Sequence, residues 1–385
     1  MAANNKKLGA LIVTLLALLA GPMTGFVASG GSDCSVFVGW PLPILRSLIC
    51  GILGPYTPPS TSPPSTTGAG LSVGYYNNPN NTASYCPSAE ALVRKVVQDA
   101  IYDNKYGSSS NFGDGGRGIG AGLIRLFFHD AFVEGCDASV LLNTTAAGSG
   151  NTEREGPPNK DSLRGFEVID AAKKATKDAC GNVVSCADIL AFAARDASDI
   201  LSGGAIKIPM PAGRLDGRVS MASRTNQLPG PGSSVQQLEA MFAAKGLSTA
   251  DMVTLSGAHS IGRARCLFFT GRLSAMDPGY AGRLNETCSA GGPNFRVDQD
   301  LETPVVLDNQ YYTNIDKFVL FGSDAALKTS EETFAQVRAN AANGKKWESE
   351  FAAAMVKMGN IEVKTTRVAG VSEIRDTCWR VNNIA

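Results

Sequence analysis

The chain has only two histidines, and each lies in a segment that could do acid–base or ligand chemistry. His129 follows Arg125 by four positions, and His259 lies in the segment Thr254–Gly262. Residues four apart share a helix face, so a helix here would place a fixed cation beside the imidazole. That pair suits cleavage of an O–O bond, because the imidazole can move a proton from one oxygen to the other while the guanidinium stabilises charge. The alternative is that both histidines are satisfied residues of an apolar core.

An acidic loop follows His129 at once. It contains Asp130, Asp137 and Ser139, and Gly135 would let the backbone carbonyls turn inward. Carboxylate, hydroxyl and carbonyl oxygens in a short loop suit Ca²⁺, although a solvated acidic turn has the same composition. Zinc is not indicated, because the histidines are far apart and no adjacent cysteine pair accompanies either of them.

Helices are expected to carry these residues, since apolar residues recur at helical spacing nearly throughout residues 71–385. We therefore predict one all-α domain there, with very little β structure and with residues 107–120 as a glycine-rich loop. Serines at 88, 185, 234 and 248 stand where helix N-caps are expected. The predicted helices begin at Ser88, Ala121, Phe166, Ser185, Ser234, Ser248, Asp308, Ser330 and Trp347.

The N-terminal residues read as a targeting segment followed by an extension. Residues 1–29 combine Lys6 and Lys7, an apolar run and a small-residue cleavage site, as secretory signals do. An uncleaved anchor is the alternative, but the run is shorter than a bilayer span, so we expect no stable membrane insertion. Residues 30–70 end in a Pro/Ser/Thr tract, which is typical of a linker and less so of a glycosylated stalk.

The composition limits the classes of partner and indicates the cellular compartment. Basic and acidic residues balance at 35 each, so nothing favours nucleic acid as a partner. Nine cysteines after a secretory signal indicate disulfides with at least one cysteine left over. Sequons at Asn80, Asn143 and Asn285 fit the same extracellular compartment.

Seven segments in order resemble the secreted plant haem peroxidases of class III, over about residues 71–385. They are RLFFHDAFVEGCDASVLL, EREGPPNKDSLRGFEVID, VSCADILAFAARD, PAGRLDG, LPGP, MVTLSGAHSIG and TPVVLDNQYY. The resemblance implies a helical fold that holds one non-covalent haem b between a distal and a proximal half. It also implies two Ca²⁺ ions.

The resemblance assigns a role to each matching residue. His129 would be the distal acid–base group, Arg125 the distal arginine and Phe128 the aromatic residue that shields the haem face. His259 would ligate the haem iron, as histidine does in peroxidases. The remaining roles are Asn159 as hydrogen-bond acceptor for His129, Asp324 as partner of His259, and Pro229 at the donor-binding haem edge.

The same resemblance implies the calcium ligands and the disulfides. The distal calcium would use Asp130, Val133, Gly135, Asp137 and Ser139, with Glu153 acting through water. The proximal calcium would use Ser260, Asp300, Thr303, Val306 and Asp308. The implied disulfides are Cys86–Cys180, Cys186–Cys378 and Cys266–Cys288, and Asp188 with Arg214 would form a buried ion pair.

The chain departs from the family at its distal loop. A fourth disulfide normally spans this loop, but its first position here is Ala131, which leaves Cys136 without its partner. Cys136 is then a buried free thiol, unless Cys34 or Cys50 replaces the missing sulfur. A tryptophan frequent in relatives is also absent from residues 206–211, where the replacements are apolar.

We expect a secreted, monomeric enzyme of the plant cell wall that reduces hydrogen peroxide and oxidises phenolic donors by single electrons. The vacuole is the less favoured location. A non-catalytic scaffold tethered to wall polymer by residues 30–70 is the alternative from another class, and a calcium-binding adhesion protein is a third.

Overall fold

The computed structural model describes residues 70–105, 116–145 and 148–382. The predicted signal (1–29) and nearly all of the predicted extension (30–70), with Cys34 and Cys50, lie outside the described residues. The described residues belong to one compact unit. Among them, no helix is long and apolar enough to cross a bilayer.

Helices dominate the described residues, which confirms the predicted all-α class. This described part of the chain has six strands, each two or three residues long, which form three antiparallel pairs, β1–β2, β3–β6 and β4–β5. The helices are α1 (Ala89–Tyr102), α2 (Arg117–Ala131), α3 (Phe166–Cys180), α4 (Cys186–Leu201), α5 (Val235–Ala244), α6 (Thr249–Ser256), α7 (Pro278–Gly291), α8 (Gln310–Asn314), α9 (Gly322–Ala326), α10 (Glu331–Ala342) and α11 (Gly344–Met358). The strands are β1 (Thr144–Thr145), β2 (Gly148–Ser149), β3 (Asp216–Gly217), β4 (Arg263–Arg265), β5 (Arg296–Asp298) and β6 (Ser372–Glu373).

The core is organised around α4, which is buried on nearly all sides and packs against α1, α2 and α3. Its alanines at 187, 191, 193, 194 and 197 let these neighbours approach closely. Gly120 on α2 serves the same contact, since a Cβ there would lie 2.9 Å from Leu201 Cδ1. The prediction of a loop over 107–120 is therefore wrong at its C-terminal end, where α2 begins at Arg117. Tertiary packing outweighs the low helix propensity of glycine.

Two of the four predicted serine caps form complete capping boxes, at Ser234 and Ser248. Ser185 accepts from the backbone N–H of Asp188, but the Asp188 carboxylate binds Arg214 instead of completing the box. Ser88 stands at the N-cap of α1 without a side-chain cap bond, so that predicted cap is wrong. A tertiary partner explains the loss at Asp188, because a buried ion pair holds its carboxylate.

The predicted helix over 308–318 is shorter than expected and covers only Gln310–Asn314. Asp308 lies outside it because its carboxylate accepts hydrogen bonds from the Gln310 backbone and the Thr303 hydroxyl. These bonds fix a turn before α8. The predicted helices over 330–340 and 347–358 are observed as α10 and α11, within a few residues at their ends.

Three disulfides join the pairs expected from the resemblance: Cys86–Cys180, Cys186–Cys378 and Cys266–Cys288. Cys136 is a buried free thiol that donates to the carbonyl of Met358 at 3.1 Å. Arg214 and Asp188 form a fully buried ion pair at 2.7 Å.

Candidate active site

The helix α2 carries Arg125, Phe128 and His129 and presents them to one space. His129 is 5% exposed, and its Nδ1 donates to Asn159 Oδ1 at 2.5 Å. The Asn159 amide is itself oriented, because its Nδ2 donates to the carbonyl of Glu153 at 2.8 Å. With the proton on Nδ1, the Nε2 lone pair of His129 is available as a base.

The surroundings of His129 keep this base neutral. Burial, and then the charge of Arg125, lower the pKa of His129 well below its usual range, while the hydrogen bond with Asn159 opposes them. A buried imidazole beside a guanidinium is therefore uncharged at neutral pH. In this state it can accept a proton from a substrate.

Arg125 is held by main-chain oxygens and not by a carboxylate. Its guanidinium donates to the carbonyls of Ser162 and Pro158 at 3.1 and 3.0 Å and to the Ser162 hydroxyl at 3.2 Å. Burial and repulsion from Arg164, Arg265 and Arg296 lower the pKa of Arg125 to about 10. It remains charged at neutral pH, and its charge can act on a substrate.

His259 lies in a 3₁₀ turn, Gly257–Ser260, that directly follows α6. Its Nδ1 donates to Asp324 Oδ1 at 2.7 Å, from the first turn of α9. Burial opposes protonation of His259, but the charge and the hydrogen bond of Asp324 outweigh it and raise the pKa. Gly257 is required at this turn, because a Cβ there would lie 2.7 Å from Tyr312 Oη and 2.8 Å from Trp347.

The two histidines share one electrostatic neighbour. Arg125 acts electrostatically on the pKa of both imidazoles. The His259 side chain is 38% exposed although protein surrounds it on every side, so it lines a cleft inside the fold. Both rings have their Nδ1 engaged, which leaves the Nε2 of each for chemistry.

The residues around this cleft fit a haem. One histidine with a carboxylate partner is the donor set that holds iron in peroxidases. The other requirement is a counter-charge for the haem carboxylates, and the arginines near Arg125 supply it. β4 and β5 place Arg265 directly opposite Arg296, an unfavourable like-charge pair that a bound anion would stabilise.

The expected distal calcium residues meet in one buried loop. Asp130 accepts hydrogen bonds from the N–H groups of Ala138 and Val140, while Asp137 accepts from Ser139 N–H and from the Lys364 ammonium. Ser139 Oγ and Glu153 Oε2 are buried without a hydrogen-bond partner. Burial and the neighbouring carboxylates raise the pKa of both Asp130 and Glu153.

This distal loop therefore fits a cation, which would satisfy the two orphaned oxygens and offset the repulsion between carboxylates. Gly135 makes the required turn with φ 84°, where a Cβ would lie 2.5 Å from Glu362 Cβ. Val133 is buried in the same turn, and its N–H donates to the carbonyl of Asp130.

The expected proximal calcium residues also come together. The Oδ1 atom of Asp300 accepts from the Thr303 N–H at 2.9 Å, while Asp300 Oδ2 is buried without a hydrogen-bond partner. Thr303 Oγ1 donates to Asp308 at 3.1 Å, and Asp308 N–H donates to Ser260 Oγ at 3.2 Å. Val306 closes the turn through its N–H bond to the carbonyl of Thr303.

Within residues 70–105, 116–145 and 148–382, no group of three or more His, Cys, Asp or Glu side chains is placed so that these side chains alone could hold a metal ion. The two sets instead mix carboxylates with hydroxyl oxygens, a composition that suits Ca²⁺.

Comparison with known proteins decides the family. Residues 93–343 match the family model described as Peroxidase. The chain is 44% identical to Peroxidase 1 of Zea mays over 83% of this chain and 85% of that protein. It is 45% identical to Peroxidase 2 of Zea mays (81% and 90%) and 40% identical to Peroxidase 5 of Vitis vinifera (82% and 92%). The chain belongs to the class III plant peroxidases.

This peroxidase is thus a haem enzyme that reduces hydrogen peroxide with electrons from a donor. The comparisons do not favour the alternative of a non-catalytic scaffold.

Pro229, the residue expected at the donor-binding haem edge, is half-buried between Leu228 and Gly230, and its role stays a prediction. Sequence reasoning missed Tyr311, whose hydroxyl donates to Asp324 Oδ1 at 2.9 Å. The only signal was the Tyr311–Tyr312 pair, which reads equally well as core packing.

Proposed function

We propose that His129 is the distal acid–base residue of this peroxidase and that His259 is the haem iron ligand. The observation that supports this proposal is that the Nδ1 atom of each imidazole donates a hydrogen bond to a side-chain oxygen. Asn159 fixes the proton of His129, and Asp324 fixes that of His259, so the Nε2 of one ring remains a base and the Nε2 of the other remains a ligand.

The chain's own residues then share the work of breaking the peroxide. His129 Nε2 accepts a proton from the peroxide oxygen that is retained and delivers it to the oxygen that leaves as water. Arg125 stabilises the negative charge that develops as the oxygens separate. Phe128 excludes water from this side of the cleft. The haem, when bound, supplies the iron and the electrons for cleavage.

The donor is a phenol, and two molecules of it return one electron each. The resemblance places donor binding at the haem edge near Pro229. The balanced charge of the chain supports a small neutral or weakly anionic donor over a polyelectrolyte.

Two Ca²⁺ ions would hold the histidines in position. Asp130, the residue after His129, would help to hold the distal ion, and Glu153 provides a second connection to His129 through Asn159. Ser260, the residue after His259, would help to hold the proximal ion. The orphaned oxygens of Ser139, Glu153 and Asp300 support both sites.

The enzyme acts outside the cell, in the plant cell wall, as a monomer. The support is the disulfide content of the described residues, since disulfides persist in oxidising compartments. The sequence signal at residues 1–29 points the same way.

Spectroscopy of the purified, haem- and calcium-loaded protein tests this function. Hydrogen peroxide is expected to change the haem Soret band, and a phenol such as ferulic acid is expected to restore it with turnover. Arg338→Leu, on the exposed face of α10, is the matched control and should behave as the wild type. Haem binding without any response to peroxide would instead identify a scaffold.

A further inference from the structure

Tyr311 belongs to the proximal site although the peroxide reaction described above does not use it. It lies on α8, is 2% exposed, and donates its hydroxyl to Asp324 Oδ1 at 2.9 Å. The same oxygen accepts the Nδ1–H of His259 at 2.7 Å. One carboxylate oxygen therefore receives two hydrogen bonds, one from the expected iron ligand and one from the phenol.

The need to satisfy a buried hydroxyl does not by itself explain this bond. The neighbouring Tyr312 is equally buried, and its hydroxyl donates to the main-chain carbonyls of Val253 and Thr254 at 2.8 and 2.9 Å. A buried tyrosine commonly finds such a partner. Tyr311 instead directs its hydroxyl to the one carboxylate that holds His259.

The phenol remains a donor under all working conditions. Burial, followed by the charge of Asp324, raises the pKa of Tyr311 well above its usual range. The Tyr311 ring also stands edge-on to the His259 ring, with centroids 6.2 Å apart, and the Phe321 ring contacts the same imidazole at 5.4 Å. These contacts fix both donors with respect to Asp324.

Two donors on one oxygen compete for its charge. A hydrogen bond from Tyr311 stabilises the charged carboxylate, so Asp324 draws less strongly on the Nδ1 proton of His259. Groups that hydrogen-bond a ligand's partner tune the basicity of the ligand and the potential of its metal. Less electron donation by His259 stabilises ferrous over ferric iron.

We propose that Tyr311 is a positioning residue that raises the reduction potential of the haem iron by moderating the Asp324–His259 pair. The inference rests on the proposed role of His259 as iron ligand. It adds that this peroxidase sets its proximal ligand strength by a phenol and not by the carboxylate alone.

The start of α8 links this phenol to the proximal calcium site. Asp308, an expected calcium ligand, accepts a hydrogen bond from the N–H of Gln310, the residue before Tyr311. Calcium at Asp308 would therefore hold the Tyr311 backbone in register with Asp324.

The test compares Tyr311→Phe with Tyr312→Phe in the haem- and calcium-loaded full chain. The ferric/ferrous potential is measured by spectroelectrochemistry, and the iron–histidine stretch of the ferrous form by resonance Raman. In Tyr311→Phe the ferric/ferrous potential should fall by ~59 mV, which corresponds to a tenfold change in a one-electron equilibrium. The iron–histidine stretch should move to higher frequency. Tyr312→Phe should match the wild type.

A second variant keeps the test decisive if Tyr311→Phe folds poorly. Incorporation of 3-fluorotyrosine at position 311 alone strengthens the donor with little change of shape and should shift the potential upward. A wild-type potential and stretch in either variant at position 311 would overturn the proposal. An absent iron–histidine stretch in the wild type would instead overturn the role of His259, so the two failures are distinguishable.

Discussion

At the scale of single residues, His129 shows how two neighbours set the state of a base. Arg125 and burial favour the neutral ring, while Asn159 holds its proton on Nδ1 and opposes them. Because the folded-state pKa lies well below the usual histidine value, the ring is already neutral at mildly acidic pH. The reaction with peroxide should then lose rate only at pH values well below 6.5.

Removing the charge at position 125 should shift the acidic limb of the pH–rate profile, where the rate falls at low pH, to higher pH. In Arg125→Leu the pKa of His129 rises, because a neighbouring cation that disfavoured protonation is gone. The plateau rate should also fall, since the developing charge loses its stabilising partner. The measurement is the second-order rate constant with hydrogen peroxide against pH, by stopped-flow absorbance. Arg338→Leu is the control. An acidic limb that stays in place or moves to lower pH in Arg125→Leu would contradict the role of Arg125 in lowering the pKa of His129.

Residue-level prediction from sequence worked where a residue type is rare. Two histidines in 385 residues left few candidates, and the Nδ1 atom of each donates to a side-chain oxygen. The partners Asn159 and Asp324 came only from the family resemblance, because a hydrogen bond over 30 or 65 positions leaves no local pattern. Tyr311 was missed for the same reason.

At the scale of elements, α2 and the distal loop that follows it are held by contacts with the C-terminal segment. The backbone N–H of Cys136 donates to Ile361, its thiol donates to Met358, and Lys364 binds Asp137. These contacts connect a loop that lacks its usual disulfide to residues more than 200 positions away.

Ala131→Cys should restore that disulfide with Cys136. The ring is short, so its loop entropy corresponds to roughly 2 kcal/mol in the free energy of unfolding. The midpoint of thermal unfolding should therefore rise by several degrees, with loss of the free thiol in a thiol titration. Ala131→Ser is the matched control without a bridge. An oxidised Ala131→Cys protein that unfolds at the wild-type midpoint would show that the present contacts already replace the disulfide.

Element-level prediction located helix starts better than capping contacts. Ser234 and Ser248 begin their helices as predicted with complete capping boxes, and Asp251 completes its box although it also forms an ion pair. The Asp188 carboxylate forms a buried ion pair and leaves its box incomplete, while the Asp308 carboxylate bonds within its own turn before a shortened helix. The sequence shows the capping residue but not the direction in which the folded chain turns its carboxylate.

At the scale of the whole molecule, each of the two proposed calcium sites would join segments that are separated in sequence. Removal of calcium by a chelator should lower the thermal midpoint, because a ligand that binds only the folded state at 100 times its Kd adds about 2.7 kcal/mol. The Soret band should change as the two histidines lose their supports. Readdition of Ca²⁺ should restore both signals, whereas Mg²⁺ should not. Indifference to the chelator in an assayed calcium-free protein would contradict both sites.

Whole-molecule features are the part that sequence patterns predict least. The arginines near Arg125 are spread over three segments, and only the folded chain brings Arg265 opposite Arg296. The helical class, by contrast, follows from periodicity along the chain. The family resemblance, and not a local pattern, supplied the expected positions of the residues around the haem.

In the proposed function, His129 moves the proton and His259 holds the haem. The rate of reaction with hydrogen peroxide in His129→Ala, with haem content measured on the same sample, tests both roles. We expect full haem content and a rate constant reduced by roughly 10²–10⁴-fold, whereas His259→Ala should lose the haem. A haem-loaded His129→Ala protein that reacts at the wild-type rate would contradict the proposed role of His129.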